Sequence, residues 1–127
     1  MSEFRVSDEG SAMKLDSVVA VLPVENFDEA TAWYTTLFGR PADVEPMDDT
    51  AEWRIAENAW IQVCVDSPAG GTAVVIGVGD LVQHAELLAA AKIEAGEIVE
   101  YPGIVKTLGV KDPAGNKITF VEELSGA

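Results

Sequence analysis

The sequence is poor in positive charge, in metal-binding side chains and in long apolar runs. Eight lysines and arginines stand against 22 aspartates and glutamates, for a formal net charge of −14. A field of that sign repels phosphate backbones and anionic lipid, which are gripped by clustered Lys and Arg. Neither nucleic acid nor a membrane is therefore an expected partner, whereas a cationic ligand would be attracted. A single cysteine, Cys64, leaves no partner for an internal disulfide and too few thiols for a cysteine-rich zinc site. No apolar run approaches the roughly 20 residues that a membrane span requires. The opening segment MSEFRVSDEGSAM has an arginine but no apolar stretch of the secretory kind. These absences together lead us to expect a cytoplasmic protein.

What is present suits a packed globule. The chain has 127 residues, 48% of them hydrophobic, enough for one domain with a core of its own. Residues 1–13 are polar and unpatterned and read as an N-terminal tail, leaving a single domain over 14–124.

Residues 17–24 (SVVAVLPV) form an apolar, valine-rich run of strand length. Asn26, with Glu29 three positions on, has the form of a helix N-cap. The helix is expected to run to about Phe38, with Phe27, Ala30, Tyr34 and Leu37 on one stripe and Gly39 as the left-handed stop. Residues 52–56 and 59–65 then make a hairpin across Glu57 and Asn58, and the loop 66–71 (DSPAGG) leads on.

The pattern then restarts. Residues 72–78 are a second Val/Ile run, Asp80 opens a helix with Gln83 three residues later, and Leu81, Ala85 and Leu88 form its stripe. With Val24 laid on Val78, one constant offset pairs Asn26 with Asp80, Glu29 with Gln83 and Tyr34 with Leu88. Residues 104–111 and 116–122 form a last hairpin around Asp112-Pro113-Ala114-Gly115, where Pro presets one turn angle and Gly takes the positive φ. The fold class is α+β, built from two similar strand–helix–strands halves over about 15–66 and 72–123.

Three stretches carry a resemblance to the vicinal oxygen chelate superfamily, which includes glyoxalase I, bleomycin-resistance proteins and extradiol dioxygenases. They are the strand and helix ending in AWYTTLFG (residues 32–39), the second strand and helix from Thr72, and the DPAGNK turn from Asp112. The resemblance implies two βαβββ modules whose eight strands curl into an incomplete barrel around a pocket, with the helices outside. It also implies a homodimer.

Side-chain alternation within each strand separates a helix-covered face from a pocket face. On this reading Trp60, Gln62 and Cys64 face the pocket, as do Lys117, Thr119 and Val121. A simple two-residue turn at Glu57–Asn58 would set Ile55 opposite Trp60 and Trp53 opposite Gln62, bringing both onto the same face. Tyr101, beside Pro102 and Gly103, is placed at the mouth. The expected ligand pocket is thus Trp53, Ile55, Trp60, Gln62, Cys64, Tyr101 and Thr119.

Metal enzymes of the superfamily take His and Glu ligands from strand centres. Residue by residue those positions fall at Val19, Gln62, Ala73 and Thr119, and none supplies an imidazole or a carboxylate. No metal, cofactor or catalytic residue is therefore assigned. His84 aligns with helical Ala30 and reads as a helix-surface imidazole. Cys64 reads as a small buried hydrophobe, since no nearby positive charge activates it. The function that results is metal-free binding of a small molecule, aromatic or cationic, as in bleomycin-resistance-type sequestering proteins. The alternatives are a glyoxalase-like lyase, isomerase or dioxygenase, and an interaction module whose pocket is filled by Trp53 and Trp60.

Overall fold

The computed structural model describes residues 14–124, so the tail expected over 1–13 lies outside the described residues. In chain order the elements are β1 (Val18–Val24), α1 (Phe27–Phe38), β2 (Val44–Met47), β3 (Thr50–Ala56), β4 (Ala59–Val65), β5 (Ala73–Gly77), α2 (Leu81–Ala90), β6 (Val99–Tyr101), β7 (Val105–Lys111) and β8 (Lys117–Glu123). They form two four-stranded sheets of identical topology, β1-β4-β3-β2 and β5-β8-β7-β6, which do not close into a barrel. In each sheet the first strand pairs in parallel with the last, and the remaining pairs are antiparallel. The two similar α+β halves are those read from the residues, and their βαβββ form and incomplete barrel are what the family resemblance implied.

The two helices begin by the same device. Asn26 Oδ1 accepts from the Glu29 amide at 2.9 Å, and Asp80 Oδ1 from the Gln83 amide at 3.0 Å, each satisfying a donor left over at a helix start. Gly39, at φ 76°, takes the left-handed position that ends α1. Ala30, Tyr34 and Leu37 are buried beneath α1, and Leu81 and Leu88 beneath α2, so the matched positions Tyr34 and Leu88 both enter the core.

The first hairpin departs from the simple register. Ala56 faces Ala59 across the turn, but the pairing slips between Ala56 and Arg54. Arg54 consequently lies opposite Trp60, and Trp53 opposite Ile61. Polar ties hold this bulge: the Arg54 amide donates to Asp43 Oδ2, and its guanidinium to the Glu57 carbonyl. Because side chains alternate between faces, the slip sends Trp53 to the helix side. It is fully buried there, its ring centroid 5.9 Å from Tyr34 and 5.7 Å from Phe38, with Nε1 donating to the Arg40 carbonyl at 2.9 Å. The second hairpin runs without a slip from Lys111–Lys117 to Val105–Glu123.

The turn between β7 and β8 is a seam as well as a turn. Asp112 Oδ1 accepts from the amides of Ala114 and Asn116, and Gly115 sits at φ 97°. The fully buried Asn116 donates through Nδ2 to the Pro23 carbonyl of the first module at 2.8 Å, while its Oδ1 accepts from the Thr72 amide. Tyr34 of α1 donates to Asp112 Oδ2. Gly70, at φ 79°, donates to the Pro23 carbonyl and passes so close to the Ala114 carbonyl that a Cβ there would overlap it. The DPAGN motif therefore fastens one half to the other.

Candidate functional site

Each helix covers one face of its sheet, and the other face is left to the pocket. In β1, Leu22 and Val24 are buried under the helix while Val19 and Val21 are 45% and 44% exposed on the opposite face. In β4, Ile61 and Val63 are buried, and Trp60, Gln62 and Cys64 are half-buried on the open side. In the second module Ile118 and Phe120 are buried, leaving Lys117, Thr119 and Val121 open, with Val75 67% exposed beside them.

The seven residues expected in one pocket are distributed among several places. Trp53 is excluded from the open face by the bulge and belongs to the core, which corrects the expectation that it meets a ligand. It follows that Trp53 and Trp60 do not jointly fill a pocket. Ile55, the residue within the slipped register, and Trp60 line a cleft of about 320 Å³ where β1 and β5 approach one another, together with Val18, Ala20, Val75 and Gly77. Gln62 faces Glu52 across the strand pair, and its Nε2 donates to Glu52 Oε2 at 2.7 Å. Cys64 lies opposite Thr50. Burial pushes its thiol above the ordinary range, and Asp66 and Asp49 add to the effect, which is the reverse of an activated nucleophile. Tyr101 is half-exposed on β6 opposite Val105. Thr119 opens onto a second cleft, of about 590 Å³, with Gly109, Lys111 and Lys117.

Three polar residues were missed by sequence reasoning, among them Arg54, which the slip sets opposite Trp60. Glu52 was hidden by the one-residue register error, which assigned it to the helix side. Lys111 could have been found by continuing the straight register back from Lys117 across the DPAGN turn. His84 also needs correction. Its ring lies 4.2 Å from Phe120, and its Nε2 is buried with no hydrogen-bond partner among the described residues, so it is not a surface imidazole. Burial lowers its pKa below the ordinary 6.5.

Solved structures share this arrangement. A glyoxalase/bleomycin resistance protein from Catenulispora acidiphila is 26% identical, covering 84% of this chain and 96% of its own, with a TM-score of 0.78. The fold is that of the vicinal oxygen chelate superfamily. TnmS3, an antibiotic binding protein from Streptomyces, is 14% identical over 89% of this chain and 98% of its own, with a TM-score of 0.74. A lactoylglutathione lyase from Agrobacterium tumefaciens is 15% identical over 94% and 99%, with a TM-score of 0.72. No family model and no curated protein matches the sequence.

In vicinal oxygen chelate enzymes a metal would be gripped from the open face, and the donors on this chain do not fit one. Val19 pairs with Trp60 and Ala73 with Lys117. Moving two residues along the same face gives Val21 and Val75, again without a donor atom. The Gln62 amide is engaged by Glu52. Among the described residues no three His, Cys, Asp or Glu side chains come together as a metal site. No helix of the described residues is long and apolar enough to cross a membrane.

Proposed function

We propose that this chain is a small-molecule binding protein whose ligand lies on the helix-free faces of its sheets. The observation that carries this reading is the composition of those faces: an indole, Trp60, and an amide–carboxylate pair, Gln62–Glu52, set among valines that no helix covers. An apolar wall with a few placed polar groups suits a ligand that is oriented by hydrogen bonds and held by area. Trp60, with Arg54 opposite it, offers a stacking surface for an aromatic group, and the Glu52 carboxylate opposite Gln62 on the same face favours a cationic one, worth about 0.5–2 kcal/mol where a cation sits over the ring. The similarity to an antibiotic binding protein supports sequestration as the role. A glyoxalase-type or ring-cleaving reaction asks for a divalent ion, and Val19 and Ala73 provide nothing to hold it. A second copy of the chain belongs to the same proposal. Met47 on β2 and Tyr101 on β6 are exposed apolar side chains on edge strands that a partner subunit would cover, and light scattering measures whether it does.

The test is a titration of the full chain with cationic and neutral aromatic compounds, followed by tryptophan fluorescence and thermal shift. Saturable quenching that disappears in Trp60→Ala supports the reading. A panel that leaves both signals flat, or quenching unaffected by Trp60→Ala, overturns it.

A further inference from the structure

The cleft beside Thr119 has a charge arrangement opposite to that of the molecule as a whole. Lys111 and Lys117 are directly paired across the antiparallel β7–β8 ladder, so both ammonium groups project from one face. Like charges so placed repel, and an acidic chain has every means of relieving them: 22 carboxylates are present. Yet neither lysine makes an ion pair or a side-chain hydrogen bond among the described residues; the one ion pair found there is Arg40–Asp43. Glu94 borders the same cleft without joining either lysine.

The rest of the cleft is shaped to admit a group between them. Gly109 lies opposite Thr119 and leaves the floor bare, with nothing within 4 Å of where its Cβ would stand. The neighbouring wall is backbone, held by the Ala95–Val110 bridge and the hydrogen bond from the Gly96 amide to the Gly109 carbonyl. The Thr119 hydroxyl is unengaged among the described residues and opens onto the same space of about 590 Å³. Two lysines and one threonine lining a cleft whose floor lacks side chains match an oxyanion, which would turn the lysine repulsion into two charge-assisted hydrogen bonds.

We propose that this cleft binds the carboxylate or phosphate of a small ligand between Lys111 and Lys117, with Thr119 donating the third hydrogen bond. The inference rests on the ligand-binding reading and adds the charge of one end of the ligand. The net charge of −14 opposes any anion at long range, so binding depends on this local pair.

The experiment is an NMR titration of the 15N-labelled full chain with sodium phosphate and with sodium 2-naphthoate, holding ionic strength constant with sodium chloride. We expect saturable shifts of the Gly96, Gly109 and Thr119 amides, and affinity reduced at least tenfold in both Lys111→Met and Lys117→Met. Both side chains are exposed, and removing either relieves a repulsion, so the variants should keep or raise the wild-type thermal midpoint. A response to phosphate alone, to naphthoate alone or to both identifies which oxyanion is taken, and each supports the proposal. Absence of saturable shifts with either salt overturns it, as does undiminished affinity in both variants. Neutral 2-naphthylmethanol separates the two claims: quenching of Trp60 by the alcohol, with no lysine-dependent effect of the anions, sinks the anion site and leaves the binding protein intact.

Discussion

The hydroxyl of Tyr34 in the first module donates a 2.7 Å hydrogen bond to Oδ2 of Asp112 in the second, 78 residues away in the chain. Both residues are buried. Burial is the main reason that the phenol is held far above its ordinary pKa, with the bond to Asp112 and its charge adding to it. Removing the hydroxyl leaves a buried carboxylate short of one donor. Tyr34→Phe should cost about 1.5–3 kcal/mol, the range for a hydrogen bond to a charged acceptor, while leaving the shape of the core unchanged. Urea denaturation measures this. A loss below about 0.5 kcal/mol would mean that the seam does not depend on this bond.

The two tryptophans of the first hairpin should separate cleanly. Trp53 is fully buried against Tyr34 and Phe38, so Trp53→Ala is expected to cost about 3–5 kcal/mol, as for other large core truncations. Trp60, half-buried on the open face, should cost less than half of that and lose ligand response instead. Chemical denaturation of both variants checks the contrast, and equal losses would contradict the register that divides them.

Most of the architecture was legible because local signals agreed with the global one. Asn26 and Asp80 cap their helices, Gly39 stops the first, and Gly115 takes the positive φ of the DPAGN turn, each where its own chemistry requires it. The pocket was legible only in part. A strand's faces are fixed by counting from its partner, and a bulge that adds one residue is invisible to such counting. The slip at Arg54 reversed Trp53 and Glu52 together, whereas Gln62, Thr119 and Lys117, reached without crossing it, fell on the open face as expected. His84 was misjudged for a different reason. Its equivalent Ala30 is a small buried residue, and the alignment alone did not show that an imidazole there would be drawn against Phe120.

The histidine makes stability depend on pH with a definite sign. His84 has its pKa lowered by burial relative to an ordinary 6.5, so near and below that value the unfolded chain binds more protons than the folded one. Stability should therefore be full above about pH 6.5 and decline as pH falls toward the depressed folded value. Carboxylates contribute to any acid scan, so the readout is the difference between wild type and His84→Leu at pH 7.5 and 5.5. The wild type should lose more stability over that interval. Identical losses would show that the imidazole is not sensed.

The donor positions on the open face carry their own prediction. With Val19 and Ala73 in place of ligands and Gln62 engaged by Glu52, the purified chain should bind no stoichiometric Mn(II), Fe(II), Ni(II) or Zn(II), and EDTA should leave its thermal midpoint unchanged. Elemental analysis after dialysis against each ion provides the measurement. One equivalent retained by strand residues would restore the enzymatic reading.

The two modules share one topology but are complementary rather than interchangeable. The position held by Tyr34 in the first repeat is held by Leu88 in the second, while Asp112 and Asn116 reach back to Tyr34 and Pro23. A chimera of two first repeats would possess the phenol without its acceptor, and one of two second repeats the acceptor without its phenol. Their present asymmetry supplies these polar ties across the seam, and a symmetrised version of this protein would keep the shared apolar core while losing them.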